Sequence, residues 1–416
     1  MTNLLNQPFI KILQDKYKIP KTEIDIIIQY LILRQKMYVK GDNNFGVVFV
    51  TSKYCNLSCK HCAVDAKFRD IPISDSDYDL STKEIIDIFT KLHTYLDMTK
   101  QNIFFMFGGG EPTLRGDFRI LLKEANSIFG RDSIGFCTNG TFLSADEVLS
   151  LAENVGLLEV SLDCFEDYHN KWRTPTNRVS NPYSTTLDLI KKAVSCCPDK
   201  LEVASVVTKH NIKLLPKFAI FLKDIGVKNY SVHRPVPIGR MFNCRSLIPS
   251  IRDYLLFFAA MARVALDNKA ISLHLHHSLE SIYSAVILGK DIHFSNTSLG
   301  TNRHSIGIDP KGFVHFDPWA ILSPFSMLSP GTLCDPEKSM VDMFEDQQGI
   351  LNLITESKKA NVRCRHCDKI CSGGMRITGI IDSIAKNDWP QTIIPGAIIA
   401  AISSFDPACP VGIENK

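Results

Sequence analysis

The alternation of short apolar runs with longer amphipathic segments restricts the fold of this chain more than any other feature of its sequence. Between residues 45 and 230, runs rich in β-branched and aromatic residues predict strands, and the segments between them predict helices. This order is typical of a parallel sheet with right-handed crossovers, either open or closed into a barrel. The predicted strands cover residues 46–52, 102–107, 132–136, 157–162, 201–208 and 228–233.

Helices are predicted between these strands, and one of them has a sequence signal for its first turn. Ser81 and Glu84 have the S-x-x-E spacing of a capping box, which indicates a helix start at this point. In parallel α/β sheets, functional groups collect at the carboxyl ends of the strands, so motifs at those ends are the candidates for a site. The predicted helices cover residues 81–96, 117–129, 145–153, 183–196 and 214–225.

The segments before and after this pattern do not show the alternation of strands and helices. Residues 1–44 predict a helical preface, whose apolar stretch 24–33 is expected to be buried against the sheet. After residue 240, a turn at Pro310-Lys311-Gly312 has a glycine where a positive φ is tolerated, which indicates a hairpin. A helix and the two hairpin strands are predicted at residues 251–267, 305–308 and 313–316.

The net charge and the cysteine content indicate which partners and which kinds of site to expect. The 47 basic residues nearly balance the 44 acidic ones and leave a net charge of +3, which favours neither a nucleic acid nor a membrane as a partner. The sequence has no run of 18 or more apolar residues and no secretory signal, so we expect a cytoplasmic protein. In that reducing compartment an odd number of cysteines, 13, argues against a disulfide framework and indicates metal sites where they cluster.

The first cysteine group follows the first predicted strand directly. Cys55, Cys59 and Cys62 have the spacing C-x3-C-x2-C, and three thiolates in one loop can bind one inorganic cluster. The alternative, a structural zinc site, needs four protein ligands, and His61 adjoins Cys62 too closely to turn toward the same ion. Three ligands leave one metal position open, which favours chemistry over a purely structural role.

These three cysteines after a first strand resemble the signature of the radical S-adenosylmethionine (SAM) enzymes. The resemblance implies that Cys55, Cys59 and Cys62 hold a [4Fe-4S] cluster and that SAM chelates its fourth iron through its amino and carboxylate groups. His61 occupies the usually aromatic position before the third cysteine, where the family packs a ring against the adenine. The resemblance covers about residues 47–240.

Motifs at the ends of the next strands extend this resemblance. Gly108, Gly109, Gly110 and Glu111, followed by a proline, are similar to the family's GGEP motif. Glycines allow a close backbone approach to a ligand, and Glu111 is predicted to accept hydrogen bonds from the methionine ammonium of SAM. The alternative for such a glycine-rich strand end is a simple turn.

Polar residues end the third and fourth strands and match the same family. The resemblance implies that Asn139, Ser161 and Arg173 contact SAM and that Asp163 is a catalytic residue nearer to the substrate. For each of these residues singly, a helix-capping or surface salt-bridge role is the alternative. His169, Asn211 and the segment Pro237-Ile238-Gly239-Arg240 also resemble the family.

A second cysteine group lies near the carboxyl terminus and resembles the SPASM extension of radical SAM enzymes. That extension carries two auxiliary [4Fe-4S] clusters, but the positions of three ligands to one of them read Leu299, Asp317 and Met375 here. We therefore expect one auxiliary cluster, with Asp317 as an oxygen ligand to iron a lesser alternative. A structural zinc held by the same thiolates is the other reading. The predicted ligands are Cys364, Cys367, Cys371 and Cys409, with Cys334 the alternative fourth ligand.

Other histidines and cysteines have less specific patterns. The group His274, His276 and His277 predicts either a metal site or a polar face lining a substrate pocket. His233-Arg234 is placed to meet a substrate carboxylate or to lie on the surface. Cysteines near strand ends either return a hydrogen to a product radical or are buried spectators; they are Cys137, Cys164 and Cys244.

The resemblance implies a partial (βα)6 barrel of the radical SAM type with a carboxyl-terminal iron–sulfur extension of the SPASM or twitch type. The expected regions are a helical preface, the partial barrel, a helical linker and the auxiliary-cluster domain, at residues 1–44, 45–240, 241–300 and 301–416.

The implied activity is that of an oxidoreductase. The reduced first cluster would transfer one electron to SAM, and the resulting 5′-deoxyadenosyl radical would abstract hydrogen from an unactivated substrate carbon. An auxiliary cluster would accept the electron left on the substrate, which favours a cross-link or a dehydrogenation. Since SPASM enzymes often modify ribosomally made peptides, the leading hypothesis is a precursor peptide as substrate, with flavodoxin or ferredoxin as electron donor.

Two alternatives stay open. One is a radical SAM enzyme acting on a small molecule, such as a sugar or tetrapyrrole, or on a protein cysteine or serine side chain, as a sulfatase maturase does. The other is a non-catalytic iron–sulfur or zinc protein that senses redox state or binds a partner. The segment from Gly108 to Pro112 and the open metal position argue against this second class, and release of 5′-deoxyadenosine would distinguish the two.

Overall fold

The computed structural model describes residues 7–37, 44–236, 238–275, 277–288, 305–315, 321 and 329–346. The strands in these ranges are β1 (Asn44–Val50), β2 (Tyr54–Cys55), β3 (Lys67–Phe68), β4 (Asn102–Gly108), β5 (Ile134–Thr138), β6 (Leu157–Ser161), β7 (Leu201–Val206), β8 (Asn229–His233), β9 (Ser272–Leu275), β10 (Ser305–Ile308) and β11 (Val314–His315).

The helices of the same ranges pack around these strands. They are α1 (Gln7–Asp15), α2 (Lys21–Met37), α3 (Thr82–Thr99), α4 (Phe118–Phe129), α5 (Ala145–Ala152), α6 (Glu166–Trp172), α7 (Pro182–Cys196), α8 (Leu215–Asp224), α9 (Ile251–Asp267), α10 (His277–Tyr283) and α11 (Met340–Asp346). Among the described helices, none is long and apolar enough to cross a bilayer.

In the described part of the chain, nine strands form one mostly parallel sheet in the order β11-β10-β1-β4-β5-β6-β7-β8-β9. The six predicted strands correspond to β1 and β4 to β8, which are consecutive and parallel, so the predicted α/β architecture is confirmed. The end strands β11 and β9 are not paired with each other within these residues, as expected for a partial barrel.

Two strand pairings extend the sheet beyond the prediction. β9 pairs parallel to β8. β10 pairs parallel to β1, with Gly46 opposite Ser305, and then antiparallel to β11 through the predicted hairpin. Gly312 in that turn has φ +80°, as its position predicts. The beginning of the carboxyl-terminal region is therefore part of the same sheet as the barrel.

Phenylalanines form the layer between the sheet and the helices α3 and α4. The Phe105 ring meets Phe89 of α3 edge-on with centroids 5.3 Å apart, and Phe107 meets Phe118 of α4 at 5.7 Å. All four are fully or almost fully buried, and burial of each such side chain contributes about 1.5–3 kcal/mol. The predicted capping box is present at the start of α3, where Ser81 and Glu84 bond reciprocally. These contacts fix the helices on the outer face and leave the carboxyl edge of the sheet open.

Helices α1 and α2 lie in the stretch predicted as a helical preface. Ile24, Ile27 and Leu31 of α2 are buried, but Leu33 is 40% exposed. The buried face packs on α9, where the Tyr30 ring meets Phe258 edge-on at 5.5 Å. Helix α6, by contrast, was not predicted from the sequence.

Candidate active site

The three cysteines of the first group lie in one loop at the carboxyl edge of the sheet. Cys55 and Cys59 are buried, Cys62 is half-buried, and all three thiols are free. Together they line a cavity of about 250 Å³, and residues 55–62 are called the cysteine loop below. Burial raises the pKa of the Cys59 thiol to about 11 and that of Cys55 well above its usual range.

Three free thiols that line one cavity fit a [4Fe-4S] cluster, because such a cluster binds each cysteine through a different iron and leaves its fourth iron open to another ligand. His61, which is 7% exposed, also lines the cavity, and its Nδ1 has no hydrogen-bond partner in the part of the chain that the structure describes. That nitrogen is available to a bound group.

Backbone contacts hold the cysteine loop against the neighbouring strand ends. The Arg240 guanidinium donates from Nε to the Cys59 carbonyl at 2.8 Å, and the Arg240 amide donates to the Cys62 carbonyl at 3.0 Å. On the other side, the Asn56 amide group donates to Thr141 Oγ1 at 2.9 Å. The loop geometry is therefore set by the protein itself.

Two glycines of the G-G-G-E-P motif are required by this loop. A Cβ on Gly110 would lie 1.9 Å from the Tyr54 carbonyl oxygen, and one on Gly109 would lie 2.8 Å from the Ser52 oxygen. We predicted that these glycines admit a ligand, and both do line the cavity. Their tightest contacts, however, are to the backbone that leads into the cysteine loop, so they fix the loop in the first place.

Glu111 is held by hydrogen bonds within the protein. Its carboxylate is fully buried and does not line the cavity. It accepts hydrogen bonds from the hydroxyls of Thr113 at 2.6 Å and Thr138 at 2.8 Å, and from the Asn139 amide at 2.8 Å. Burial raises its pKa. In the structure Glu111 joins β4 to β5 from behind the cavity wall, and its predicted contact with SAM remains a prediction. Gly108 does not line the cavity either, and its carbonyl accepts hydrogen bonds from Thr51.

Asp163 occupies a similar position on the other side of the cavity. It is fully buried, and its carboxylate accepts two hydrogen bonds from Arg173, at 2.7 and 3.1 Å, and pairs with His61 Nε2 at 3.2 Å. Burial alone would raise the pKa of Asp163, but the charges of Arg173 and His61 hold that pKa well below its usual range. Arg173 and His61 line the cavity and Asp163 does not. The predicted catalytic residue therefore lies behind two predicted SAM-binding residues and fixes their orientation.

The remaining predicted residues divide between the cavity and other parts of the molecule. Asn139 and Ser161 line the cavity, and the Asn139 amide group lies 3.6 Å from Cys55 Sγ. Cys137 also lines it, whereas Cys164 is fully buried elsewhere and Cys244 is half-buried. His233 and Arg234 line the cavity opposite the cysteine loop. Glu159 and Ser205 of its wall were missed by the sequence analysis; the signal for Glu159 is a lone carboxylate in an apolar strand.

The second cysteine group falls largely outside the described residues. Cys334 is described and lies beside the hairpin, with Sγ 3.9 Å from the Lys311 carbonyl oxygen. The predicted positions outside the described residues are Pro237, His276, Leu299, Asp317, Cys364, Cys367, Cys371, Met375 and Cys409.

Comparisons with known families and curated proteins agree with this geometry. Residues 49–217 match the model of the radical SAM superfamily. The cysteine-type anaerobic sulfatase-maturating enzyme of Clostridium novyi is 24% identical over 343 residues, 78% of this chain and 86% of that protein. Mycofactocin maturase MftC of Mycobacterium ulcerans is 24% identical over 326 residues, 77% of this chain and 79% of that protein. Molybdenum cofactor biosynthesis protein 1 of Dictyostelium discoideum is 34% identical, but over only 34% of this chain and 22% of its own length.

Solved structures show the same fold. The structure of anSMEcpe with bound AdoMet and the Cp18Cys peptide has a TM-score of 0.60 at 19% identity and covers 86% of this chain and 99% of its own. Streptococcus suis SuiB bound to the precursor peptide SuiA has a TM-score of 0.57 at 15% identity and covers 85% of this chain and 76% of its own. At these identities the likeness concerns the fold.

Proposed function

The chain carries a radical SAM domain at residues 49–217 and is a SAM-dependent iron–sulfur enzyme, and from this premise we propose that it oxidatively modifies a ribosomally made peptide. The modification would be a cross-link or a dehydrogenation. The observation that carries the proposal is that mycofactocin maturase MftC of Mycobacterium ulcerans aligns with 77% of the chain. The sulfatase-maturating enzyme of Clostridium novyi aligns over a similar share and favours the alternative, a protein side chain as substrate. The similarity therefore extends past the domain that radical SAM enzymes share.

The residues that would hold the cofactors are those that line the cavity. Cys55, Cys59 and Cys62 would bind a [4Fe-4S] cluster, and a cavity lined by all three thiols suits it. The predicted contacts to SAM on the cavity wall are His61, Gly109, Gly110, Asn139, Ser161 and Arg173. When bound, these two groups supply a 5′-deoxyadenosyl radical that abstracts hydrogen from carbon.

The chain's own part in this chemistry is orientation. The guanidinium of Arg173 is held in one plane by the two oxygens of Asp163, so it presents a fixed set of donors to the cavity. His61 is held through Nε2 by the same carboxylate, which leaves Nδ1 toward a bound group. We propose that Asp163 acts as a positioning residue, through these two side chains, rather than on the substrate.

We further propose one auxiliary [4Fe-4S] cluster, held by Cys364, Cys367, Cys371 and Cys409, with Cys334 as the alternative fourth ligand. It would accept the electron released by the oxidised substrate, and a flavodoxin or ferredoxin would supply electrons to the first cluster. A count of iron, sulfide and zinc on anaerobically reconstituted protein tests this proposal. About eight irons per chain, two cubanes, would support it, whereas about four irons with one zinc would remove the auxiliary cluster.

The peptide substrate is tested with the reconstituted enzyme, SAM, a reductant and each short peptide found to be encoded beside its gene. We expect the peptide to lose the mass of a pair of hydrogen atoms, with matching release of 5′-deoxyadenosine. Protein with Cys59→Ala is the control for chemistry at the first cluster. A peptide of unchanged mass, while SAM is cleaved, would contradict the peptide substrate and favour a small molecule.

A further inference from the structure

Four ionisable side chains lie on the face of the sheet that lines the cavity, and the proposed cofactor contacts do not include them. They are called the inner quartet and are Glu159, Glu202, His233 and His274, from four consecutive strands β6 to β9. Glu159 is directly opposite Glu202 in the strand register. Ion pairs join Glu159 to His233 at 3.6 Å and Glu202 to His274 at 3.5 Å.

Glu159 differs from the other two buried carboxylates near the cavity. Glu111 and Asp163 each have both oxygens engaged by close donors and do not line the cavity. Glu159 does line it, its side chain is 17% exposed, and in the described ranges its carboxylate has one charged partner, His233. A separation of 3.6 Å is too long for a strong hydrogen bond. Glu159 therefore has acceptor capacity directed at the space where a substrate must meet the cofactors.

The charges around Glu159 favour a cation over an anion at this position. Glu202 lies on the neighbouring strand, and like charges in such directly opposed pairs repel each other. Burial, followed by the charge of Glu159, raises the pKa of Glu202 to about 7. A positive group beside Glu159 would lower the energy of both carboxylates. Three arginines also line the cavity. Arg173 is paired with Asp163 and Arg240 with Asp65, whereas Arg234 lies over the Tyr254 ring at 5.4 Å.

We propose that Glu159 is a specificity-determining residue that binds a cationic group of the substrate, an ammonium or a guanidinium. The substrate cation takes the place of His233, whose side chain is 37% exposed, as the partner of Glu159. Within the proposed function, on which this inference rests, it selects a peptide with a lysine, arginine or free amino group beside the modified position.

The test is a binding measurement on full-length, anaerobically reconstituted protein loaded with SAM. The probes are n-butylguanidinium, its neutral analogue n-butylurea and the anion valerate, measured by equilibrium dialysis. We expect the guanidinium to bind about tenfold or more tightly than the urea, because a charge-assisted hydrogen bond is stronger than a neutral one. Equal binding of the two, or no binding of either, would overturn the proposal.

Three variants test whether the preference for the guanidinium depends on Glu159. Glu159→Gln keeps the size of the side chain and should abolish the preference for the guanidinium, whereas Glu159→Asp should retain part of it. Glu153→Gln removes an equal charge from an exposed position at the end of α5 and should keep the full preference. Equal iron content in all variants shows that they are folded. An unchanged preference in Glu159→Gln would assign the fragment to another site and reject the proposal.

The same measurement separates this inference from the proposed function, because the fragments bind without turnover. Wild-type protein that prefers the guanidinium but modifies no peptide would contradict the proposed function alone. Wild-type protein that modifies a peptide but shows no preference among the fragments would contradict the role of Glu159 alone.

Discussion

Two sets of carboxylates lie along one sheet and are bound in different ways. At the carboxyl edge, the fully buried Glu111 and Asp163 accept close hydrogen bonds at 2.6 to 3.3 Å from side chains and backbone amides. In the inner quartet, the half-buried Glu159 and Glu202 have ion pairs of 3.6 and 3.5 Å, and Glu202 also accepts a hydrogen bond from Ser231. A carboxylate with all of its oxygens engaged fixes its neighbours, whereas one with spare capacity can bind a partner that comes and goes. We infer that the edge serves constant cofactors and the inner face a variable substrate.

The largest effect expected from a change at the edge is a complete loss of chemistry. Cys59→Ala should remove iron from the first site and leave no detectable 5′-deoxyadenosine, because two remaining thiolates do not hold the cluster. Iron content and product release measure this directly. Cys196→Ala, at an exposed free thiol on α7, is the matched control and should retain both. Retained SAM cleavage in Cys59→Ala would remove the cysteine loop from the site.

The second largest effect is expected from Gly110→Ala, which tests whether the cysteine loop at the carboxyl edge of the sheet is rigid. Gly110→Ala would bring a Cβ within 1.9 Å of the Tyr54 carbonyl oxygen, and such overpacking against backbone should cost about 3 kcal/mol or more. We expect a lower unfolding temperature and weaker iron binding. Gly116→Ala meets only an ordinary contact, 3.5 Å from the Tyr78 hydroxyl, and should change neither. If Gly110→Ala behaves like Gly116→Ala, the loop is adaptable and the comparison fails.

A charge deletion at the edge should be strongly unfavourable. Asp163→Asn leaves Arg173 buried without its counter-charge, and breaking such a pair typically costs about 3–5 kcal/mol. The KM for SAM should also rise more than kcat falls, because a positioning role acts through Arg173 and His61. Asp132→Asn is the control, because its ion pair with Arg131 is exposed and worth at most about 1 kcal/mol. Loss of kcat at unchanged KM would instead support the catalytic role first predicted for Asp163.

Removal of a carboxylate charge from the inner quartet should raise the stability of the protein, whereas Asp163→Asn should lower it. Glu202 faces Glu159, His233 and His274 from the neighbouring strands, and its pKa is raised to about 7. A carboxyl with a raised folded-state pKa binds its proton more tightly when folded, so stability falls as pH rises from about 4.5 to about 7. Burial lowers the pKa of His233, but nearby carboxylates, chiefly Glu159 through its hydrogen bond and its charge, raise it by more, so the net pKa is raised. The stability that the protonated His233 contributes is therefore also lost as pH rises.

Glu202→Gln should therefore be more stable than the wild type near neutral pH, by up to about 3 kcal/mol, and should show a shallower loss of stability across that interval. Urea unfolding at several pH values measures both quantities. Glu153→Gln again serves as the exposed control. A destabilised Glu202→Gln would show that the inner carboxylates are as firmly satisfied as those at the edge.

Sequence reasoning was most successful where the signal is local. The strand and helix periodicity, the capping box at Ser81 and the turn at Gly312 each depend on neighbouring residues, and the structure confirms them. The parallel pairing of β10 with β1 was not predicted, because the two strands are far apart in the chain and the sequence of neither identifies the other as its partner.

The sequence predicted which residues lie at the site but not which of their side chains face the cavity. A motif names Glu111 and Asp163 but does not say whether each side chain faces the cavity or lies behind its wall; that depends on donors from other strands, such as Thr138 and Val206. Glu159 was missed for the converse reason. It belongs to no motif, and a lone carboxylate in an apolar strand does not by itself show that the side chain lines a cavity opposite Glu202.

The pairing of β1 with β10 has a consequence for how the protein is made. β1 is among the first strands to leave the ribosome, whereas its partner begins at Ser305, after more than half of the chain has followed. Until then one side of an apolar strand, N-F-G-V-V-F-V, presents unpaired backbone groups, which other chains can join. Chains that stop before residue 305 should therefore aggregate, so production of the barrel alone would need a substitute for the missing strand.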